Sequence, residues 1–181
     1  MKQISPFIYA LITPFNPKWS FNKIEPIENK KRIGVSSFIL SCILIIAAHT
    51  IGQSKNSTNV GLELFFYILG FSFGLILKQL FTVYILIVLL KRFQKTKIKW
   101  QETLCIVSFS LIPLLLNNIL YIIQPKAHQI GQIFFSLWNI ALIIAGIYLL
   151  KKIPLWKSII TVTTIIILFG LIKLTFIGIE I

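Results

Sequence analysis

The most unusual reactive group in this sequence of 181 residues is the ammonium of Lys78, which lies inside a long apolar run. A charged side chain deep in a membrane helix usually faces protein or water rather than lipid. Gly70, Gly74, Lys78 and Thr82 recur every four residues, so they share one helix face, and Gly-x-x-x-Gly spacing lets another helix approach closely. The pattern predicts a face that packs against the bundle. Alternatively, the Lys78 stem extends toward the inner headgroups.

Amide side chains inside apolar runs are the next candidates, and they are Asn117, Asn118 and Asn139. An unpaired amide in hydrocarbon costs about 2–7 kcal/mol, so we expect hydrogen bonds between helices. Candidate partners are Thr161, Thr163 and Thr164. A polar pathway lined by Asn117 and Asn139 is the alternative. A carboxylate proton relay is not supported, because the sequence has no Asp and Glu63 lies near the end of its run.

Signatures of catalysis or metal binding are weak in this sequence. His49 and His128 lack a third placed ligand, and Cys42 and Cys105 are isolated in apolar runs without zinc-site spacing. The sequence contains no His-Glu-x-x-His, no Gly-x-Ser-x-Gly and no phosphate-binding glycine loop. We therefore expect a protein that is not an enzyme, with no catalytic residues, no metal and no cofactor.

The elements that hold these residues are apolar runs of membrane-spanning length. The chain is 56% hydrophobic and only 13% charged, with a mean hydropathy of +0.87, whereas soluble domains carry about 25% charged residues. Runs long enough to span a bilayer cover residues 33–52, 60–90, 103–123, 130–150 and 158–179. They predict an all-α, polytopic transmembrane bundle of about five spans. The second run must tilt, kink or protrude, or else be two helices divided near Gly70 and Gly74.

Basic residues alternate between the two predicted sides of the membrane. Six Lys or Arg precede the first run, five follow the second and three follow the fourth, whereas the other two loops have one each. The positive-inside rule then places the N-terminus in the cytoplasm and the C-terminus outside. The net charge of +13 is thus explained by loops that meet anionic headgroups, and nucleic acid is not an expected partner. Residues 1–32 form a basic, Pro- and aromatic-rich cytoplasmic or interfacial segment, and residues 33–181 form the five-span domain.

The order of local motifs resembles the Yip family of Ypt/Rab-interacting five-span membrane proteins, in particular its bacterial members. The N-terminal segment has a proline and aromatic pattern, and a Ser-Leu-Ile-Pro stretch leads to Pro113 in the third run. Trp138 and Gly146 follow in the fourth run, and Lys157-Ser158 opens the fifth. The resemblance implies a five-span fold and a non-enzymatic role. The acidic-Leu-Tyr-Gly type motif of eukaryotic members is missing, so the resemblance does not extend to Rab binding.

Together these features predict a non-catalytic integral membrane protein that organises membrane partners or lipids. Its expected location is the plasma membrane, which would be the inner membrane of a bacterium if the resemblance to bacterial members holds. A membrane-protein partner on the Gly70 and Gly74 face is expected. The alternative is a small permease or channel with a pathway near Lys78 and Asn139.

Overall fold

The computed structural model describes residues 12–24, 30–56, 61–94 and 99–177, and these residues are almost entirely helical. In chain order the helices are α1 (Pro17–Ile24), α2 (Lys30–Asn56), α3 (Leu62–Gln94), α4 (Trp100–Ser110), α5 (Ile112–Ile123), α6 (Pro125–Lys151) and α7 (Leu155–Ile177). The predicted polytopic helical bundle is confirmed.

Four stretches are long and apolar enough to cross a membrane, and they are Ile33–Lys55, Leu62–Arg92, Trp100–Ile123 and Pro125–Lys151. The shorter apolar stretch Leu155–Leu171 belongs to α7. The second predicted run is one continuous helix that passes through Gly70 and Gly74, so it is not divided there. Its 33 residues extend about 50 Å at 1.5 Å per residue, which is longer than a hydrocarbon core of roughly 30 Å.

The third predicted span is broken into α4 and α5 near its middle. Pro113 has no N–H to donate, and its ring would clash with the carbonyl of Phe109 in a regular helix. The chain tightens at Leu111, whose N–H donates to the carbonyl oxygen of Ser108 at 3.3 Å. Because the proline falls where the apolar run is continuous, hydrophobicity alone conceals the break.

The connection between α5 and α6 is the single residue Gln124, which has extended backbone angles (φ −150°, ψ 101°). This conformation is the one that a residue before proline prefers, and Pro125 begins α6. Helix α6 therefore begins at residue 125, ahead of the apolar run predicted from residue 130. The short turn makes α5 and α6 close antiparallel neighbours.

Helix α4 lies at the centre of the bundle, where every side chain from Thr103 to Ser110 is buried. Helices α2, α5 and α6 surround it, α7 packs against α6, and α3 lies at the periphery. Leu86 and Leu90 of α3 are fully buried against the core, whereas Leu69, Phe73 and Leu77 are exposed. One side of α3 thus packs on the bundle and the other is left open.

Candidate functional site

The open side of α3 carries Gly70, Gly74 and Lys78, and all three are exposed. A methyl group built on Gly70 or Gly74 would meet no atom of the described residues within 4 Å. The sequence predicts that this face contacts the bundle, but none of the described helices of this chain covers it. A helix neighbour for Gly70 and Gly74 would therefore have to come from another molecule. We call the surface formed by Gly70, Gly74, Leu77 and Lys78 the α3 face.

Thr82, which follows the same spacing of four, lies on the packed side of α3 instead. An α-helix advances 100° per residue, so each step of four drifts by about 40° and three steps by about 120°. Thr82 is accordingly buried, and its hydroxyl donates to the carbonyl oxygen of Lys78 at 2.9 Å. Gln79, Val83 and Leu86 are buried beside it and mark the side that faces the bundle.

Asn139 joins the middle of α6 to the end of α4. Its amide Nδ2 donates to the carbonyl oxygen of Ser110 and lies 3.2 Å from the Ser110 hydroxyl. Ser110 is the last residue of α4, and carbonyls at a helix end have no partner within their own helix. The amide of Asn139 therefore satisfies a carbonyl that the break before Pro113 leaves available.

The threonines of α7 do not receive the amides as the sequence suggested. Thr161 donates to the carbonyl oxygen of Lys157, and Thr164 donates to that of Ile160, each at 2.9 Å. These bonds lie within α7. The amides of Asn118 and Asn139 bond instead to groups on α2, α4 and α5.

An unforeseen polar and aromatic cluster centres on His49 of α2. The His49 ring stacks on Phe71 with centroids 3.8 Å apart, and its Nδ1 lies 3.0 Å from Oδ1 of Asn118. The other ring nitrogen, Nε2, lies 3.3 Å from the hydroxyl of Tyr67. Tyr121 is a third aromatic neighbour, and its hydroxyl donates to Gln53 at 2.7 Å. The cluster therefore joins α2, α3 and α5.

Hydrogen-bond geometry assigns the protons of this cluster. Asn118 uses its Nδ2 to donate to the carbonyl oxygen of Leu114 at 2.8 Å, so its Oδ1 is the acceptor that faces His49. His49 must then carry a proton on Nδ1, and Nε2 of the neutral ring accepts from Tyr67. The arrangement fixes one tautomer of His49 and connects three helices through it.

His128 and Asn117 extend the cluster to α6. Nδ1 of His128 donates to the backbone oxygen of Asn117 at 2.9 Å, and the His128 ring lies 4.8 Å from that of Tyr121. The Asn117 side chain is only 5% exposed, and its Oδ1 has no partner among the described residues. A methyl group built on Gly131 would lie 3.1 Å from this oxygen, so α5 and α6 approach closely here.

His49 and His128 are imidazoles of the type that binds metal ions, and both belong to the same cluster. Both rings lie near that of Tyr121, with centroids 5.8 Å away for His49 and 4.8 Å away for His128. Each imidazole uses its Nδ1 in a hydrogen bond to an oxygen of α5. Among the described residues no group of three or more His, Cys, Asp and Glu is close enough to hold a metal ion. The visible role of both histidines is to join helices.

The described part of the N-terminal segment packs into the bundle through its aromatic residues. Phe21 of α1 is fully buried with its ring centroid 6.1 Å from that of Phe109. A methyl group built on Gly146 would lie 3.0 Å from Cζ of Phe21, so the glycine provides the space for this ring. Phe15 meets Trp138 edge to face at 6.0 Å. Residues 1–11 and 25–29 lie outside the described residues, and the division of the chain at residue 32 stays a prediction.

A comparison with protein families shows that a model of the Yip1 domain matches residues 7–177 of this chain. The chain belongs to the Yip1 domain family. The predicted resemblance to the Yip family is thus confirmed, and with it a multi-pass membrane protein. Searches of curated proteins and of solved structures gave no significant match.

The residues that suggested the resemblance have identifiable positions in this Yip1 domain. Trp138 and Gly146 contact Phe15 and Phe21 of the N-terminal segment, and Pro113 causes the break between α4 and α5. These residues shape the bundle. The α3 face and the His49 cluster lie elsewhere and are the two features of this Yip1 domain that the motifs did not indicate.

Proposed function

We propose that this Yip1 domain is a non-catalytic membrane protein that organises membrane partners by means of the α3 face. The observation that carries the proposal is that Gly70 and Gly74 are uncovered in a helix whose other side is well packed. Small residues at this spacing promote helix association in lipid, where close backbone approach replaces the hydrophobic effect as the source of affinity. The same pair has no packing role within the described part of the chain.

Lipid contact is the second part of the proposal. Helix ends at the predicted cytoplasmic side carry exposed basic residues, namely Lys91, Arg92, Lys99 and Lys152. Basic groups close to a membrane surface gain roughly 1 kcal/mol each from anionic headgroups. We propose the plasma membrane as the location, with these groups on its anionic cytoplasmic leaflet.

The permease or channel hypothesis receives less support from the geometry. It needs Lys78, Asn117 and Asn139 to line one interior path. Lys78 instead faces away from the bundle, whereas Asn117 is buried and Asn139 is bonded to Ser110. The three side chains therefore do not share a common surface.

A site-specific photocross-linker at Leu77 tests the proposed function. Leu77 is 56% exposed and lies on the α3 face, and Ile133 of α6 is a matched control that is 71% exposed on another helix. In native membranes we expect a discrete adduct from position 77, no discrete adduct from position 133, and loss of the adduct when Gly74→Ile blocks close approach. Equal diffuse labelling at both positions would mean that the α3 face only contacts lipid, and the proposal would fail.

A further inference from the structure

Lys78 lies near the middle of α3, far from the charged residues at both ends of the helix. It is thirteen residues from Lys91 and fifteen from Glu63, or about 20 Å and about 22 Å along the helix axis. The four-carbon stem of a lysine reaches only about 6 Å. An ammonium on this stem remains some 14 Å or more from either charged end of the helix. With α3 centred in a hydrocarbon core about 30 Å thick, this position is close to the midplane.

Nothing in the described part of the chain compensates this charge. Lys78 is exposed on the α3 face, and no described carboxylate pairs with it. Glu102 forms an ion pair with Lys151, and Glu63 is at the outer end of α3. The sequence has five acidic residues, and none of them falls within a turn of the middle of an apolar run. A charged side chain on the lipid side of a helix is unfavourable near the membrane centre, so Lys78 without a partner destabilises the inserted helix.

A second copy of this chain is a poor occupant of the α3 face. Copies inserted in the same orientation and packed symmetrically on Gly70 and Gly74 would bring Lys78 opposite Lys78. The sequence has no carboxylate near the middle of an apolar run that could separate the two ammonium groups. Like charges in a medium of low dielectric constant repel strongly, which opposes this dimer.

We propose that the α3 face binds a transmembrane helix of a different protein that carries an Asp or Glu near the membrane midplane. Gly70 and Gly74 let the two backbones approach, and Lys78, one turn further along α3, meets the carboxylate of the partner helix. The ion pair removes both charges from contact with lipid. Association of the two helices is therefore more favourable than exposure of either charge to hydrocarbon. This inference rests on the proposed function, because it names the chemistry of the partner on the same face.

Model helices reconstituted with the full chain test the charge requirement directly. The probes are fluorescent 24-residue Leu- and Ala-rich transmembrane peptides with a central Glu, and matched peptides with a central Gln or Lys, in phosphatidylcholine vesicles at pH 8. Energy transfer to the labelled protein reports association. We expect the Glu peptide to associate about tenfold more strongly than the Gln peptide, and the Lys peptide to associate least.

Variants of the protein distinguish the contribution of the Lys78 charge from that of close helix approach at Gly74. Lys78→Leu is expected to abolish the preference for the Glu peptide, Lys78→Arg to retain it, and Gly74→Ile to weaken both Glu and Gln peptides. Each variant must keep the native yield and unfolding midpoint in detergent, and Leu80→Ala on a neighbouring exposed position serves as the control for substitution on α3.

The outcomes distinguish this inference from the proposed function. Equal association of Glu and Gln peptides that still depends on Gly74 overturns the carboxylate requirement but leaves a helix-docking face. Loss of the Glu preference when phosphatidylglycerol replaces phosphatidylcholine also overturns it, because Lys78 would then bind lipid phosphate. A cross-link from Leu77 to a second copy overturns it as well. If no peptide associates and Leu77 yields no adduct, the proposed function itself fails.

Discussion

The carboxylate of Glu102 performs two structural tasks at the predicted cytoplasmic end of the bundle. It accepts the backbone N–H of Lys99 at 3.3 Å, which caps the start of α4, and it forms an ion pair with Lys151 at the end of α6. The Lys151 and Glu102 side chains are only 7% and 16% exposed. The pair therefore joins two helix ends in a place where water screens charges poorly.

We predict that removing one partner of this pair is more harmful than removing both. Lys151→Met removes the ammonium that pairs with the nearly buried Glu102 carboxylate, which should lower the free energy of unfolding by about 3–5 kcal/mol. Glu102→Gln leaves a buried ammonium and should cost a similar amount. The double variant should recover a large part of each loss, as measured by denaturant unfolding in mild detergent. Simple additivity of the two single effects would show that the ion pair is not coupled.

Asn139 provides the second prediction at the level of single residues. Asn139→Leu removes the donor to the Ser110 carbonyl oxygen and should cost about 1–3 kcal/mol, because that oxygen lies at a buried helix end. The control is Leu137→Ala on the same helix, where the side chain is 59% exposed and no carbonyl loses a donor. Thermal unfolding in detergent compares the two variants. Equal midpoints would mean that the hydrogen bond contributes nothing to stability.

At the scale of elements, the short helix α1 packs against α6 at Gly146, where the absence of a side chain leaves space. Gly146 leaves room between Ile106 of α4 and Phe21 of α1, since a methyl group at this position would lie 2.8 Å from Cγ2 of Ile106 and 3.0 Å from Cζ of Phe21. The ring of Phe21, which is fully buried, occupies this space. One missing side chain therefore allows three helices to meet.

We predict that Gly146→Ala destabilises the protein although alanine is the better helix former. Overpacking costs roughly 1–3 kcal/mol, whereas the gain in helix propensity is at most about 1 kcal/mol. Gly170→Ala is the matched control, because Gly170 is also helical and has nothing within 4 Å of the added methyl group. Unfolding in detergent should show a loss for Gly146→Ala and no loss for Gly170→Ala. Protease cleavage within α1 should increase only in the former.

The sequence predicts where the spans lie along the chain, but it does not predict which side of each helix packs against the bundle. Run length and hydropathy place α2, α3 and α7 within a few residues, and Pro113 marks the break in the third span. Helix α3 is apolar on nearly all sides, so its sequence has too little polar asymmetry to show that Leu86 faces inward and Gly74 outward. The Gly-x-x-x-Gly spacing indicates a contact between helices, but it does not show whether the second helix belongs to this chain or to another molecule.

Partners of the intramembrane polar groups are equally hidden in the sequence. Asn139 reaches Ser110, and His49 reaches Asn118, across 29 and 69 positions of the chain. Both pairings depend on the relative depth of neighbouring helices, which is set by turns as short as Gln124. A usable signal was that His49, Asn118 and Tyr121 all lie in the outer part of their runs, where antiparallel neighbours bring them to the same level.

At the scale of the whole molecule, the ends of the bundle differ in charge. Lys91 and Lys99 lie where α3 ends and α4 begins, and the ion pair of Glu102 with Lys151 shows that α4 begins beside the end of α6. Lys55 and Lys126 lie at the opposite helix ends. The concentration of basic residues at one end predicts, by the positive-inside rule, that this end faces the cytoplasm.

The orientation is the last prediction, and labelling of single cysteines in intact cells tests it. In a background with Cys42→Ala and Cys105→Ala, both of which replace buried thiols, a membrane-impermeant maleimide should label Lys55→Cys and Lys126→Cys directly. It should label Lys91→Cys and Lys99→Cys only after permeabilisation. All four lysines are exposed, so accessibility within the fold does not limit the reaction. The reverse pattern would place the basic end outside and remove its contact with the anionic inner leaflet. The α3 face would keep its proposed role, because it lies in the middle part of α3 and does not depend on which end of the helix is cytoplasmic.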